Sequence, residues 1–167
     1  RDWSSDVCSS DLVGAGVTDL KVGDEVFAVC DVGQEQAYSE KIAIKASIVA
    51  RKPPQLSHVD AAALALIGLT ALVSVEDTIK LKKGETIFVS GGAGGVASYA
   101  VQVAKHIGAR VISSCSKGNI DYVKSLGADE VVDYNAVDVA KAVSGCDAAF
   151  DTVGGNVTQQ AFAVLDR

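Results

Sequence analysis

The sequence predicts an α/β fold built on a doubly wound parallel sheet, and three observations predict it. From Thr86 onward, short β-branched runs alternate with helical segments; the first of these runs ends in a glycine-rich turn, GGAGGVA; and the segment after that turn carries apolar residues at helical spacing. Alternation of strand and helix specifies a parallel sheet with helices on both faces. The composition agrees, since 49% hydrophobic and 22% charged residues suit a chain that forms a core.

The first twelve residues, RDWSSDVCSSDL, stand apart. They hold Ser-Ser-Asp twice and the chain's one tryptophan, Trp3, with no apolar spacing that a helix or strand could use. They resemble the translated reading frame of a sequencing adapter. Residues 1–12 are therefore expected to be non-native and outside the fold, the alternative being a natural disordered tail. Residues 13–52 read as strands, because DLKVGDEVFAV and AYSEKIAIKASIVARK alternate apolar and polar positions around turns at Gly23 and Gly33. PPQLS breaks that pattern. Ser57 is a plausible N-cap with Asp60 three residues on, opening a helix from Val59 to about Ile79. Its apolar run, DAAALALIGLTALVSVED, is interrupted by Gly68 and Thr70 and reads as a buried helix rather than a membrane span.

The alternating region then follows. Thr86–Ser90 is a strand, and the helix after it places Val96, Ala100, Val103 and Ile107 on one face. Arg110–Cys115 gives a second strand, Ile120–Leu126 a helix stopped by Gly127, Glu130–Tyr134 a third strand, Val137–Val143 a helix, and Ala148–Val153 a fourth strand. Cys30, Cys115 and Cys146 are isolated in sequence, and neither His58 nor His106 has a cysteine or histidine at metal spacing, so no disulfide framework or zinc site is encoded. His106 sits in the last turn of a helix, where the dipole favours a cation.

Gly92-Ala-Gly94-Gly95-Val96-Ala97 fits G-x-G-x-x-G/A. The first glycine allows the tight turn, the second lets backbone approach a pyrophosphate, and the small last residue lets helix and strand pack. Free N–H groups at the helix start bind phosphate oxygens. After a strand and before an amphipathic helix, this pattern points to a dinucleotide, and the fold to a Rossmann-type domain; a bare structural turn is the alternative. An NAD-binding domain places a carboxylate about 20 residues further on, to hold the ribose 2′-hydroxyl. That position is Ser114 here, with Ser116 and Lys117 beside it. Two hydroxyls and a cation suit a 2′-phosphate, so NADPH is the expected cofactor unless Lys117 is merely a solvated loop lysine. The net charge of −6 argues against nucleic acid as a partner.

VGAGVTDLKVGDEV, AAALALIGLTA, SGGAGGVASYAVQVAK, SLGADEVVDY and FDTVGG, in that order, resemble the zinc-independent quinone oxidoreductase branch of the medium-chain dehydrogenase/reductase superfamily, near its enone (alkenal) reductases. The resemblance implies NADPH-dependent hydride transfer to the C=C bond of an α,β-unsaturated carbonyl or to a quinone. It implies Thr70 near the cofactor, Gly94, Gly95 and Val96 near the pyrophosphate, and Ser114, Ser116 and Lys117 near the 2′-phosphate. It also implies Tyr134 beside the adenosine half, and Val153 and Gly154 at the end of the fourth strand. Tyr134 reads equally as an ordinary strand-end aromatic. Zinc-dependent relatives place a metal ligand where this chain has Leu66, which has no donor atom.

The resemblance further implies that residues 13–52 are a remnant of a GroES-like catalytic domain and residues 53–167 an NADPH domain truncated at its C-terminus. On that reading most of the catalytic domain precedes Val13 and the last strands follow Arg167. No catalytic acid or base is then nameable, and the chain alone is expected to be inactive. The chain contains no methionine, so its natural start and any leader are expected to be missing, and a cytoplasmic location is only a default. The expected partners are a small enone or quinone and, for the complete protein, a second copy of itself. An enoyl-thioester reductase and a non-catalytic NADPH-binding protein are the alternatives.

Overall fold

A computed structural model describes residues 5–31, 33 and 39–166. The chain forms two compact units, residues 1–69 and 70–167.

The first unit holds a three-stranded antiparallel sheet in the order β1 (Ser5–Ser9), β2 (Glu25–Val29), β3 (Val49–Arg51). The expectation that residues 1–12 form no element is corrected here. Ser5 pairs with Val29 and Ser9 with Glu25. Strand pairing joins backbone groups, so an extended segment beside an open edge can be recruited whatever its side-chain pattern. The strand reading of residues 13–52 is also too generous, because only Glu25–Val29 and Val49–Arg51 are laddered among its described residues. Residues 41–45 alternate but lie in no ladder, and Ala37 and Tyr38 fall outside the described residues. Alternation marks a two-faced strand only where a partner edge aligns with it. Gly23 makes its expected turn at φ +91°, its N–H donating to Ser10 C=O. At the end of β3, the Lys52 side chain is almost wholly buried and pairs with Glu25 at 3.0 Å.

Helix α1 (His58–Leu72) opens on the expected cap, with Ser57 Oγ accepting from Asp60 N–H at 3.1 Å and donating to Asp60 Oδ2 at 2.7 Å. It continues into one stretch of π-helix, Val73–Thr78. The expected burial is partial: Ala61, Ala65, Ala71 and Val75 turn inward, while Val59, Leu69, Leu72 and Val73 are exposed. The helical stretch His58–Thr78, with mean hydropathy 1.8, is apolar enough to cross a membrane by length and composition alone, a property it shares with core helices.

The second unit carries a parallel sheet of β4 (Thr86–Val89), β5 (Arg110–Cys115), β6 (Glu130–Asp133) and β7 (Ala148–Phe150), in the spatial order β6-β5-β4-β7. The connections are α2 (Gly95–Ile107), α3 (Ile120–Ser125) and α4 (Val139–Ala142), and α5 (Asn156–Ala163) follows β7. Side chains alternate across β4 and β5 as a sheet covered on both faces requires. Ile87, Val89 and Val111 enter one core with α2 and Val123; Phe88 and Ile112 enter a second with Val139, Ala161 and Val164.

Three details differ from the sequence reading. The fully buried stripe of α2 is Ala97, Ala100, Val101 and Ala104, with Val96, Val103 and Ile107 flanking it, because small residues let the helix lie close on the sheet. Strand β7 ends at Phe150 rather than Val153, since the Asp151 carboxylate accepts the N–H groups of Val153 and Gly154 and turns the chain away. Helix α5 was not anticipated; after it, Cys146 and Leu165 form a parallel bridge.

Candidate functional site: a dinucleotide cleft where the sheet reverses order

The order β6-β5-β4-β7 reverses at β4, whose successors run outward on one side while β7 lies on the other. In open α/β sheets the crevice beyond the carboxyl ends of the strands at such a reversal takes the ligand.

The turn leaving β4 is built to bring backbone close. Gly91 has φ +65°, and a Cβ there would sit 2.9 Å from Val153 Cγ2. Gly92 leaves no room for one either, because it would run into Ser113 Oγ. Gly92 N–H donates to Ser114 C=O at 2.8 Å and Gly94 N–H to Gly91 C=O at 2.7 Å. Helix α2 then begins at Gly95, with Gly94 as its N-cap and no side chain capping it. The first-turn N–H groups of an α-helix have no partner within the helix, so Gly95, Val96 and Ala97 present donors and the positive end of the dipole. That is a fit for a pyrophosphate.

A cleft of about 440 Å³ opens in front of this helix start. Gly94, Gly95 and Val96 form one wall, Thr70 and Ser74 another, and Phe150, Asp151 and Thr152 the third. Thr70 and Ser74 are four apart across the junction of α1 and the π stretch, the spacing that puts two side chains on one helical face. Asp151 anchors the third wall. Burial alone would raise its pKa, but hydrogen bonds from Ser90, Thr158 and the N–H groups of Val153 and Gly154 outweigh that and hold it at about 2.

The sequence-read residues fall into three groups. Thr70, Gly94, Gly95 and Val96 line the cleft, with Gly92 and Ala97 buried directly behind it. Ser114, Ser116 and Lys117 lie at the carboxyl end of β5, and Tyr134 follows β6 with its N–H donating to Cys115 C=O at 3.3 Å. Val153 and Gly154 lie in the turn beyond β7. Ser114 is only 4% exposed, and its Oγ accepts from Gly91 N–H at 3.3 Å. Its hydroxyl is therefore turned to the glycine loop. Ser116 is half-buried and Lys117 exposed, and among the described residues Lys117 joins no salt bridge. Tyr134 is 53% exposed, an open aromatic face at the end of the neighbouring strand.

Sequence reading missed Ser74, Asp151 and Thr152. The signal for Asp151 was present in FDTVGG, where a carboxylate at a strand end precedes two glycines, but a carboxylate with four donor groups around it requires the fold to assemble them. Among the described residues no group of three or more His, Cys, Asp or Glu side chains is gathered to hold a metal ion.

The sheet order, the uncapped helix behind a glycine turn and the cleft at the reversal define a Rossmann-type dinucleotide-binding domain. Residues 95–167 match the family described as zinc-binding dehydrogenase. A chloroplast envelope quinone oxidoreductase homolog of Arabidopsis thaliana is 38% identical over 146 residues, 84% of this chain and 44% of that protein. A 2-methylene-furan-3-one reductase of Solanum lycopersicum is 37% identical over 150 residues, 85% of this chain and 38% of that protein. The structure of Escherichia coli quinone oxidoreductase complexed with NADPH superposes with a TM-score of 0.86 at 28% identity, covering 96% of this chain and 51% of that one. The chain belongs to the quinone oxidoreductase branch of the medium-chain dehydrogenase/reductase superfamily, and it spans about half the length of the solved relative and less of the curated ones.

Proposed function

We propose that the protein carrying this chain transfers a hydride from NADPH to the C=C bond of an α,β-unsaturated carbonyl or to a quinone, without zinc. The observation that carries the reading is the reversal-point cleft with its uncapped helix N-terminus, beside the end of the adjacent strand β5, which is followed by Ser116 and Lys117 in place of a carboxylate. A carboxylate there would repel a 2′-phosphate, whereas a cation that joins no salt bridge among the described residues attracts it. Relatives named as a quinone oxidoreductase homolog and a 2-methylene-furan-3-one reductase support the substrate class. Leu66 supports zinc independence, because an aliphatic side chain cannot ligate a metal.

Bound in this cleft, reduced nicotinamide supplies the hydride. The chain's own contribution is binding and orientation. The N–H groups of Gly95, Val96 and Ala97 would hold the pyrophosphate, Ser116 and Lys117 the 2′-phosphate, and Tyr134 would offer its ring to the adenine. Ser114 keeps the glycine loop in position beneath them. Thr70, Ser74 and the turn after β7 border the remaining end of the cleft, where the dihydropyridine and substrate would meet. Such positioning lowers the barrier by making reaction effectively unimolecular. We assign residues 13–52 to a GroES-like domain and 53–167 to the cofactor domain. A cytoplasmic location is proposed as the default, and cell fractionation of the full-length protein decides between it and an organelle.

Following NADPH oxidation by full-length protein with cyclohexenone and with benzoquinone, and repeating both with NADH, tests the reading. Turnover with at least one acceptor and at least about tenfold tighter binding of NADPH is expected, the worth of one charge-assisted contact. Equal binding of the two cofactors, or none, would overturn it.

A further inference from the structure

We propose that Asp151 is a positioning residue for the nicotinamide end of the cleft, a carboxylate that locks the Thr152–Gly154 turn against the end of β4. The proposal rests on the NADPH reading above. Asp151 Oδ1 accepts from Ser90 Oγ at 2.6 Å, Val153 N–H at 3.0 Å and Gly154 N–H at 3.2 Å. Its Oδ2 accepts from Thr158 Oγ1 at 2.6 Å and Gly154 N–H at 3.2 Å. Ser90 closes the ring: its Oγ accepts from Thr152 N–H at 3.0 Å, and its C=O from Thr152 Oγ1 at 2.9 Å. One side chain thus ties the end of β4, the end of β7 and the first turns of α5.

Only an ionised carboxylate serves here, because four donor groups need two acceptor oxygens and no competing N–H or O–H. The network has a visible product. Val153 is 59% exposed although apolar, because its N–H is drawn to Asp151 while its side chain is left beside Gly91, where any Cβ would strike Val153 Cγ2. Gly154 and Gly155, at φ +81° and +63°, carry the turn onward into α5. A fixed, exposed apolar side chain next to the glycine loop is a platform for a planar ring, and Asp151 sets where it stands.

The test compares two probes on full-length protein, NADPH and adenosine 2′,5′-bisphosphate, the second lacking the nicotinamide half. Asp151→Asn keeps the shape but loses charge and one acceptor. It should weaken NADPH about tenfold or more while the bisphosphate changes by less than about twofold, since strand ends β5 and β6 are untouched. Thr158→Val, which removes one hydrogen bond from outside the cleft, should give the same split at about threefold. A structural role alone would weaken both probes together, and that result, or unchanged NADPH binding, overturns the proposal. If Asp151→Asn does not fold, Thr158→Val decides by the same criterion. Wild type that binds the bisphosphate but not NADPH, or neither, overturns the cofactor reading instead, and the proposal with it.

Discussion

Gly92→Ala tests whether the glycine turn is limited by packing rather than by backbone freedom. The new Cβ would collide with Ser113 Oγ and stand 3.0 Å from Val123 Cγ1 and 3.2 Å from Ser113 Cβ. None of these neighbours can yield easily. Ser113 and Val123 are fully buried, and Ser113 Oγ donates to Val89 C=O at 2.7 Å. Gly92 is itself held by its N–H to Ser114 C=O. Overpacking of this kind costs about 1–3 kcal/mol, and the close contact to a hydrogen-bonded hydroxyl puts the expectation near about 3. Ser113→Ala removes the colliding oxygen for the loss of one buried hydrogen bond, about 1 kcal/mol. The double variant should therefore be more stable than the summed single effects by about 1 kcal/mol or more, a coupling within the usual range for touching residues. Urea denaturation of the four proteins, with an NADPH titration on each, measures this. Additive effects, or a Gly92→Ala variant as stable as wild type, would refute the packing argument.

Lys117→Gln should weaken NADPH about tenfold and leave NADH nearly unchanged, read by titration of both cofactors. Ser116→Asp should shift preference toward NADH in the same titrations, because its carboxylate would repel the 2′-phosphate that Ser116 and Lys117 are proposed to hold. The folded Asp151 pKa of about 2 lies below its unfolded value near 3.8. Its stabilisation is therefore complete above pH 4 and lost as pH falls through about 2. The stability difference between wild type and Asp151→Asn should shrink by roughly 2 kcal/mol between pH 5 and pH 2, measured by urea midpoints. Dialysis of the full-length enzyme against a strong chelator should leave its activity unchanged; stoichiometric zinc lost together with activity would contradict the Leu66 argument.

Much of the second unit was legible because local rules and tertiary packing agree there. Arg110–Cys115 was placed to the residue, and β4 and β6 to within one, since β-branched runs between glycine turns have no competing reading. Agreement failed where a single tertiary contact decides. Strand β7 stops early because Asp151 captures the next amides, and α5 depends on Thr158 reaching that carboxylate. In the first unit, β1 and the unladdered residues 41–45 turn on which backbone edges meet, and side-chain alternation does not record that. The glycines of the turn after β4 were readable from spacing, whereas Ser74, four residues after Thr70 on the same helical face, could be placed only once Thr70 was known to line the cleft.

The most direct measurement is hydride transfer itself. Full-length protein is incubated with NADPH carrying deuterium at the transferable C4 position and with cyclohexenone, and the product is analysed by mass spectrometry and NMR. The account predicts saturated ketone with one deuterium at its β-carbon, formed by wild type and much more slowly by Lys117→Gln at low cofactor concentration. Binding of NADPH with no label transferred to this enone or to a quinone would contradict it.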